Sequence, residues 1–125
     1  MTFDVADDDS VLQANLKRVF GERDASLRIA AISDLYAPDA VLYEPARIAT
    51  GHQAIAQAVE ELLASLPPAF DFSPIGPAVA HHGLARLRWR AGPPEGPVAV
   101  TGTDVARIEA GRIASLHVFI DPPDA

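Results

Sequence analysis

Cysteine is absent from the 125 residues, which removes disulfides, thiolate nucleophiles and cysteine-based metal sites together. Lysine occurs once, at Lys17, and no basic run interleaves with aromatics. With a formal net charge of -7, the chain offers little to a phosphate backbone or an anionic membrane surface. Neither nucleic acid nor membrane is therefore an expected partner. No apolar run approaches the roughly 20 residues of a membrane-spanning helix. A glycine-rich nucleotide fingerprint is also missing, so no cofactor is expected. The start, MTFDVADDDS, lacks the basic and apolar regions of a signal peptide, and the expected compartment is the cytoplasm.

What is present fits one domain. A chain of this length buries roughly two thirds of its unfolded surface, enough for one core and a small cavity. Asp4, Asp7, Asp8 and Asp9 read as a flexible acidic tail over residues 1–9, leaving residues 10–125 as the domain. Ser10 with Gln13 has the spacing of a capping box, and Leu12, Leu16, Val19 and Phe20 then share one helical face. Asp24 or Ser26 caps a second helix whose apolar side is Leu27, Ala31, Ile32, Leu35 and Tyr36. A short strand, Val41–Glu44, puts Leu42 and Glu44 on one face. Residues 45–51 read as a loop. Thr50 with Gln53 then starts a third helix, which Pro67-Pro68 ends.

From Phe70 onward the apolar period falls to two, which predicts an antiparallel meander with a tight hairpin at Ala110-Gly111. In LARLRWRA, Ala85, Leu87 and Trp89 alternate with Arg86, Arg88 and Arg90, the pattern of a sheet with one dry and one wet side. Helices first and strands later predict an α+β fold, with three N-terminal helices packed on one face of a curved antiparallel sheet.

The strings LYAPDAVLYEP, GHQAI, the His82-Gly83 turn and GTDVARIEAGRI, in this order and spacing, resemble the SnoaL-like branch of the nuclear-transport-factor-2-like superfamily. That cone-shaped α+β barrel also includes ketosteroid isomerase. The resemblance implies that Glu44 falls where ketosteroid isomerase places its general base. Asp104 falls where that family places the protonated carboxylic acid of its oxyanion hole. The sequence departs from the pattern at Phe20 and Val59, which replace two tyrosines of the family's network; Tyr36 matches a third. Isomerases, cyclases, dehydratases, epoxide hydrolases and simple binding proteins share the fold, so it does not fix the function.

In such a cone, Leu42, Glu44, Leu87, Trp89, Asp104, Leu116, Val118 and Ile120 would face one concavity, with Phe20 and Tyr36 beside it. This is the expected site for a small, largely apolar organic ligand. Two carboxyls in an apolar lining resist ionisation, and a neutral acid beside an ionised one supplies a donor and a base for proton abstraction next to a carbonyl. Glu44 and Asp104 are accordingly the expected catalytic pair of a cofactor-independent isomerase or cyclase. A non-catalytic binding or dimeric interaction module is the alternative, with Glu44 paired to Arg47 and Asp104 accepting a bond from Trp89. His52, His81, His82 and His117 have no metal-ligand spacing, so no metal site is expected. His117 and Asp121 share the opposite face with Arg88, Arg90, Thr101, Thr103, Arg107 and Phe119. That convex face is the expected homodimer surface; an anion-binding arginine stripe is the other reading.

Overall fold

In the computed structural model the described residues are 5–123, with side chains from residue 7 onward. Helix α1 (Val5–Asn15) runs into a π-helical turn (Leu16–Phe20), followed by α2 (Ala25–Leu35), β1 (Tyr36–Glu44), β2 (Arg47–Thr50) and α3 (His52–Ala64). The strands β3 (Asp71–Pro74), β4 (Val79–His81), β5 (Leu84–Gly92), β6 (Val100–Glu109) and β7 (Arg112–Ile120) complete the chain. The α+β class and the three helices stand as the sequence implies.

Several details of the helices differ. The stretch expected to be a tail over residues 1–9 lies outside the described residues at 1–4 and is helical from Val5, with Asp7 and Asp8 in the first turn, where carboxylates suit the positive end of the helix. Asp9 is held in place because its Oδ1 accepts from the Ala78 amide at 2.7 Å and from Gln13 at 3.2 Å. Ser10 is thus inside the helix and caps nothing. Asp24 does cap α2, accepting from the amides of Ser26 and Leu27. At α3 the cap is Gly51, with φ of 87°, and no Thr50 side-chain bond forms. His52 instead ties this helix start to β1: its Nε2 lies 2.9 Å from the Tyr36 carbonyl and 3.0 Å from that of Ala37, so this nitrogen carries the proton.

The sheet is mixed, curved and open. Its order is β2-β1-β7-β6-β5, with β3 and β4 sharing the outer edge of β5. β1 runs parallel to β7, while the other pairs are antiparallel. The curved sheet packed by three helices stands as expected, and the one departure from an antiparallel sheet is the parallel β1–β7 pair. The expected loop at residues 45–51 contains β2, paired with β1 from Val41↔Thr50 to Glu44↔Arg47. Pro45-Ala46 is the turn, and the strand pattern is inverted there, with Ile48 exposed and Ala49 buried. Two hairpins turn on residues of positive φ, His82-Gly83 and Ala110-Gly111, a pairing that matches the natural strand twist. His81 and His82 sit together at the first of these turns, with Nδ1 atoms 2.9 Å apart.

The core lies between the helices and the concave side of the sheet. Leu12, Ile32, Leu42, Ile55, Val59, Leu87, Ile113 and Leu116 are fully or almost fully buried. Near the open end one glycine governs the packing. A Cβ at Gly102 would come within 2.3 Å of Trp89 Cζ2 and 2.5 Å of the Phe119 carbonyl. Gly102 is paired with Trp89 across β5 and β6, so the indole lies flat over a strand that offers no side chain.

Replacing that glycine should move the indole. Gly102→Ala is expected to destabilise the fold by about 1–3 kcal/mol, the range for overpacking. It should also shift the fluorescence of the chain's single tryptophan. Denaturant melts and emission spectra check this, and a variant as stable as the parent with unchanged emission would refute the packing role.

Candidate functional site

The π-helical turn positions one wall of the site. Its wide winding, closed by the Gly21 amide bonding to the Leu16 carbonyl at 2.9 Å, brings Leu16 and Phe20 together over the sheet. Gly21 permits this, since a Cβ there would meet the Lys17 carbonyl at 2.9 Å. The second wall is α3 and its exit. Leu62, Leu66 and Phe70 face inward, and Arg23 holds that exit by donating to the carbonyls of Leu63, Pro67 and Phe70 at 3.0–3.3 Å. Leu63 is in the last turn of α3, and Pro67 and Phe70 lie in the segment that leaves it.

Between these walls and the sheet lies a cavity of about 180 Å³. Its lining is almost wholly apolar, with Phe72, Trp89, Ala91, Val100, Val118 and Ile120 from the strands. Phe20, Phe72 and Trp89 form a continuous aromatic wall: ring centres are 6.3 Å apart for the first pair and 5.7 Å for the second, both tilted. Two ionisable side chains enter this lining, Glu44 and Asp104.

Asp104 is 3% exposed. Trp89 Nε1 donates to its Oδ1 at 2.9 Å. Burial pushes this carboxyl from the ordinary 3.8 up to about 7, and the indole bond opposes only part of that rise. Because Oδ1 accepts from the indole, the proton of the neutral acid belongs on Oδ2. Glu44 ends β1 with a side chain 13% exposed. Its Oε1 is buried without a hydrogen-bond partner, and the closest cation, Arg47 Nε, is 3.8 Å away. Arg47 instead donates to Glu61 on α3. The Glu44–Arg47 ion pair of the binding-module reading is present but long, and it leaves Oε1 without a hydrogen bond. Burial raises the Glu44 pKa, and Arg47 offsets part of the effect.

The structure thus brings Phe20, Glu44, Trp89, Asp104, Val118 and Ile120 into one lining, as the sequence implies. It does not bring four others. Leu42, Leu87 and Leu116 share the concave face but are sealed in the core. The cavity occupies only the open end of the cone, which strand alternation cannot distinguish from the closed end. Tyr36 starts β1 instead of lying on α2, is fully buried, and donates to Asn15 Oδ1 at 2.6 Å. Burial, with Asp104 and Glu44 nearby, raises its pKa well above the ordinary value, so it stays a neutral phenol. Leu16, Leu62, Leu66, Phe70 and Phe72 were missed. Leu62 and Leu66 stand one helical turn apart, a signal that could have marked them.

The opposite face carries an exposed strip. Tyr43, His117 and Phe119 stack in sequence across β1 and β7, and Phe119 is 56% exposed. Asp121 accepts from the Thr101 hydroxyl at 2.7 Å. Among the described residues, no group of three or more His, Asp or Glu side chains is arranged to hold a metal. No helix among them is long and apolar enough to cross a membrane.

Comparison with known proteins agrees with this architecture. A crystal structure described as a putative isomerase of the SnoaL-like family from Agrobacterium tumefaciens superimposes with a TM-score of 0.85 at 25% identity, covering 94% of this chain and 99% of that one. A putative polyketide cyclase from Sinorhizobium meliloti gives 0.71 at 20% identity, covering 93% and 99%. A putative ketosteroid isomerase from Kribbella flavida gives 0.68 at 13%, covering 96% and 84%. The last two show the fold alone. No curated protein matches the chain. The family model of the SnoaL-like domain matches residues 16–116, from the π-helical turn to the middle of β7, and the chain belongs to that family.

Proposed function

We propose that the chain is a cofactor-independent isomerase or cyclase that moves a proton next to a carbonyl group. The observation that carries this is the pair of carboxyls in one apolar cavity, with Asp104 held neutral up to about pH 7. A ketone seated with its oxygen at Asp104 Oδ2 accepts a hydrogen bond there. Ionised Glu44 removes a proton from the adjacent carbon, electron density moves onto the oxygen, and Asp104 steadies the enolate. Return of the proton from Glu44 to a different carbon completes an isomerisation. Attack of the enolate carbon on a second carbonyl completes a cyclisation, with the proton delivered to the new alkoxide. The relatives named as isomerase and polyketide cyclase support the reading.

Phe20 occupies the place where ketosteroid isomerase carries a second oxyanion donor, so Asp104 works alone here. Loss of one such donor typically lowers turnover by a factor of about 10²–10³. A slow enzyme, or one acting on an already acidified ketone, is the corresponding expectation.

We also propose a homodimer through the convex face, where Phe119 and Ile48 lie exposed beside Arg88, Arg90, Thr101 and Thr103. A two-fold contact would cover the apolar residues and leave the arginines at a wet rim. Sedimentation should give twice the chain mass, and Phe119→Glu should give monomers. A parent chain that is monomeric at micromolar concentration would remove the dimer.

The reaction is tested by deuterium exchange at the carbon beside the carbonyl of cyclohex-2-enone, followed by NMR. This probe can only accept a hydrogen bond, so it needs the neutral form of Asp104. As pH rises through about 7, Asp104 loses its proton and exchange should fall. As pH falls, Glu44 gains a proton and exchange should fall again. Glu44→Gln is expected to lower the rate by about 10²-fold or more, and Asp104→Ala by a similar factor. Binding of the ketone with exchange no faster than in buffer would instead favour the non-catalytic module.

A further inference from the structure

We infer that the cavity takes an uncharged carbonyl compound of a single ring, or an equally compact chain, and that the aromatic wall of Phe20, Phe72 and Trp89 sets this limit. The inference rests on the proton-transfer reading for the carbonyl and on the cavity itself for size and charge.

The size follows from volume. An apolar cavity of about 150 Å³ is known to hold benzene. The 180 Å³ here leaves room for one ring and a small substituent. The floor is rigid: Phe20 and Trp89 are buried, and the indole is pinned between Gly102 and Asp104. The rim is low, since Pro45 and Ile120 already face solvent. A second fused ring therefore meets the aromatic wall or stands in water.

The charge follows from the lining. Among the described lining residues there are two carboxyls and no lysine, arginine or histidine. A carboxylate or phosphate on the ligand would face Glu44 in a poorly screened space with no compensating cation. An ammonium would lose its hydration to an apolar wall, and pairing it with ionised Glu44 would occupy the base. Arg47, the nearest cation, is turned toward Glu61.

The experiment is a binding series by isothermal titration at pH 6, using cyclohex-2-enone, a two-ring enone, a four-ring steroid enone, and one-ring enones bearing a carboxylate or an ammonium group. The one-ring neutral ketone should bind about tenfold or more tightly than each of the others, the scale on which an apolar pocket discriminates. In Phe72→Ala, and in Phe72→Leu as the milder change, the two-ring enone should gain while the one-ring ketone weakens. A steroid or charged enone that binds the parent more tightly would overturn the inference, as would a ring preference unmoved by both Phe72 variants. Deuterium exchange on the same ketones separates the two proposals. One-ring preference without exchange sinks proton transfer and leaves the size rule, whereas exchange with a multi-ring preference does the reverse.

Discussion

Everything distinctive about the site depends on one buried hydrogen bond, from the Trp89 indole to Asp104 Oδ1 at 2.9 Å. A carboxyl this deep in apolar surroundings is costly to ionise. The indole satisfies one oxygen and directs the proton to the other. Gly102 makes the bond possible, because any larger residue would displace the ring from the strand. Trp89 thus closes the cavity floor and orients the acid at once, and a volume constraint becomes a chemical one.

The helices serve this arrangement from above. The π-helical turn swings Leu16 and Phe20 over the strands, and Arg23 secures the exit of α3 so that Leu66 and Phe70 form the opposite wall. Glu44 arrives by a different route, at the last position of β1, where the Pro45-Ala46 turn stops the strand and β2 folds back. Arg47 enters that hairpin but turns to Glu61, so the carboxylate keeps only a long ion pair to it. The base is left partly desolvated and without a firm partner.

Much of this was legible in the sequence. Helical spacing and the later period of two gave the α+β order, and alternation in LARLRWRA placed Trp89 and Leu87 on the dry face. The resemblance of LYAPDAVLYEP and GTDVARIEAGRI to a known family drew attention to Glu44 and Asp104 together. Other features were hidden for physical reasons. Pairing of β1 with β7 is a contact between residues far apart in the chain, and no local pattern specifies that the two strands run parallel. β2 is four residues long and its pattern is inverted, since Ile48 is exposed and the buried position holds the small Ala49. Leu42, Leu87 and Leu116 carry the same signal as Val118 and Ile120, since period alone cannot separate a filled end of a cone from an empty one. The acidic N-terminal run read as solvated because the partner of Asp9, the Ala78 amide, lies 69 residues away.

The proton on Asp104 is the claim on which the chemistry turns. It is measured most directly by carbon-13 NMR titration of the side-chain carboxyls in the labelled parent chain, assigned with Asp104→Asn. Asp104 is expected to titrate near 7, with its signal changing together with the indole N–H resonance of Trp89. Titration near the ordinary aspartate value of 3.8, with the indole signal unmoved across neutral pH, would contradict the neutral-acid site.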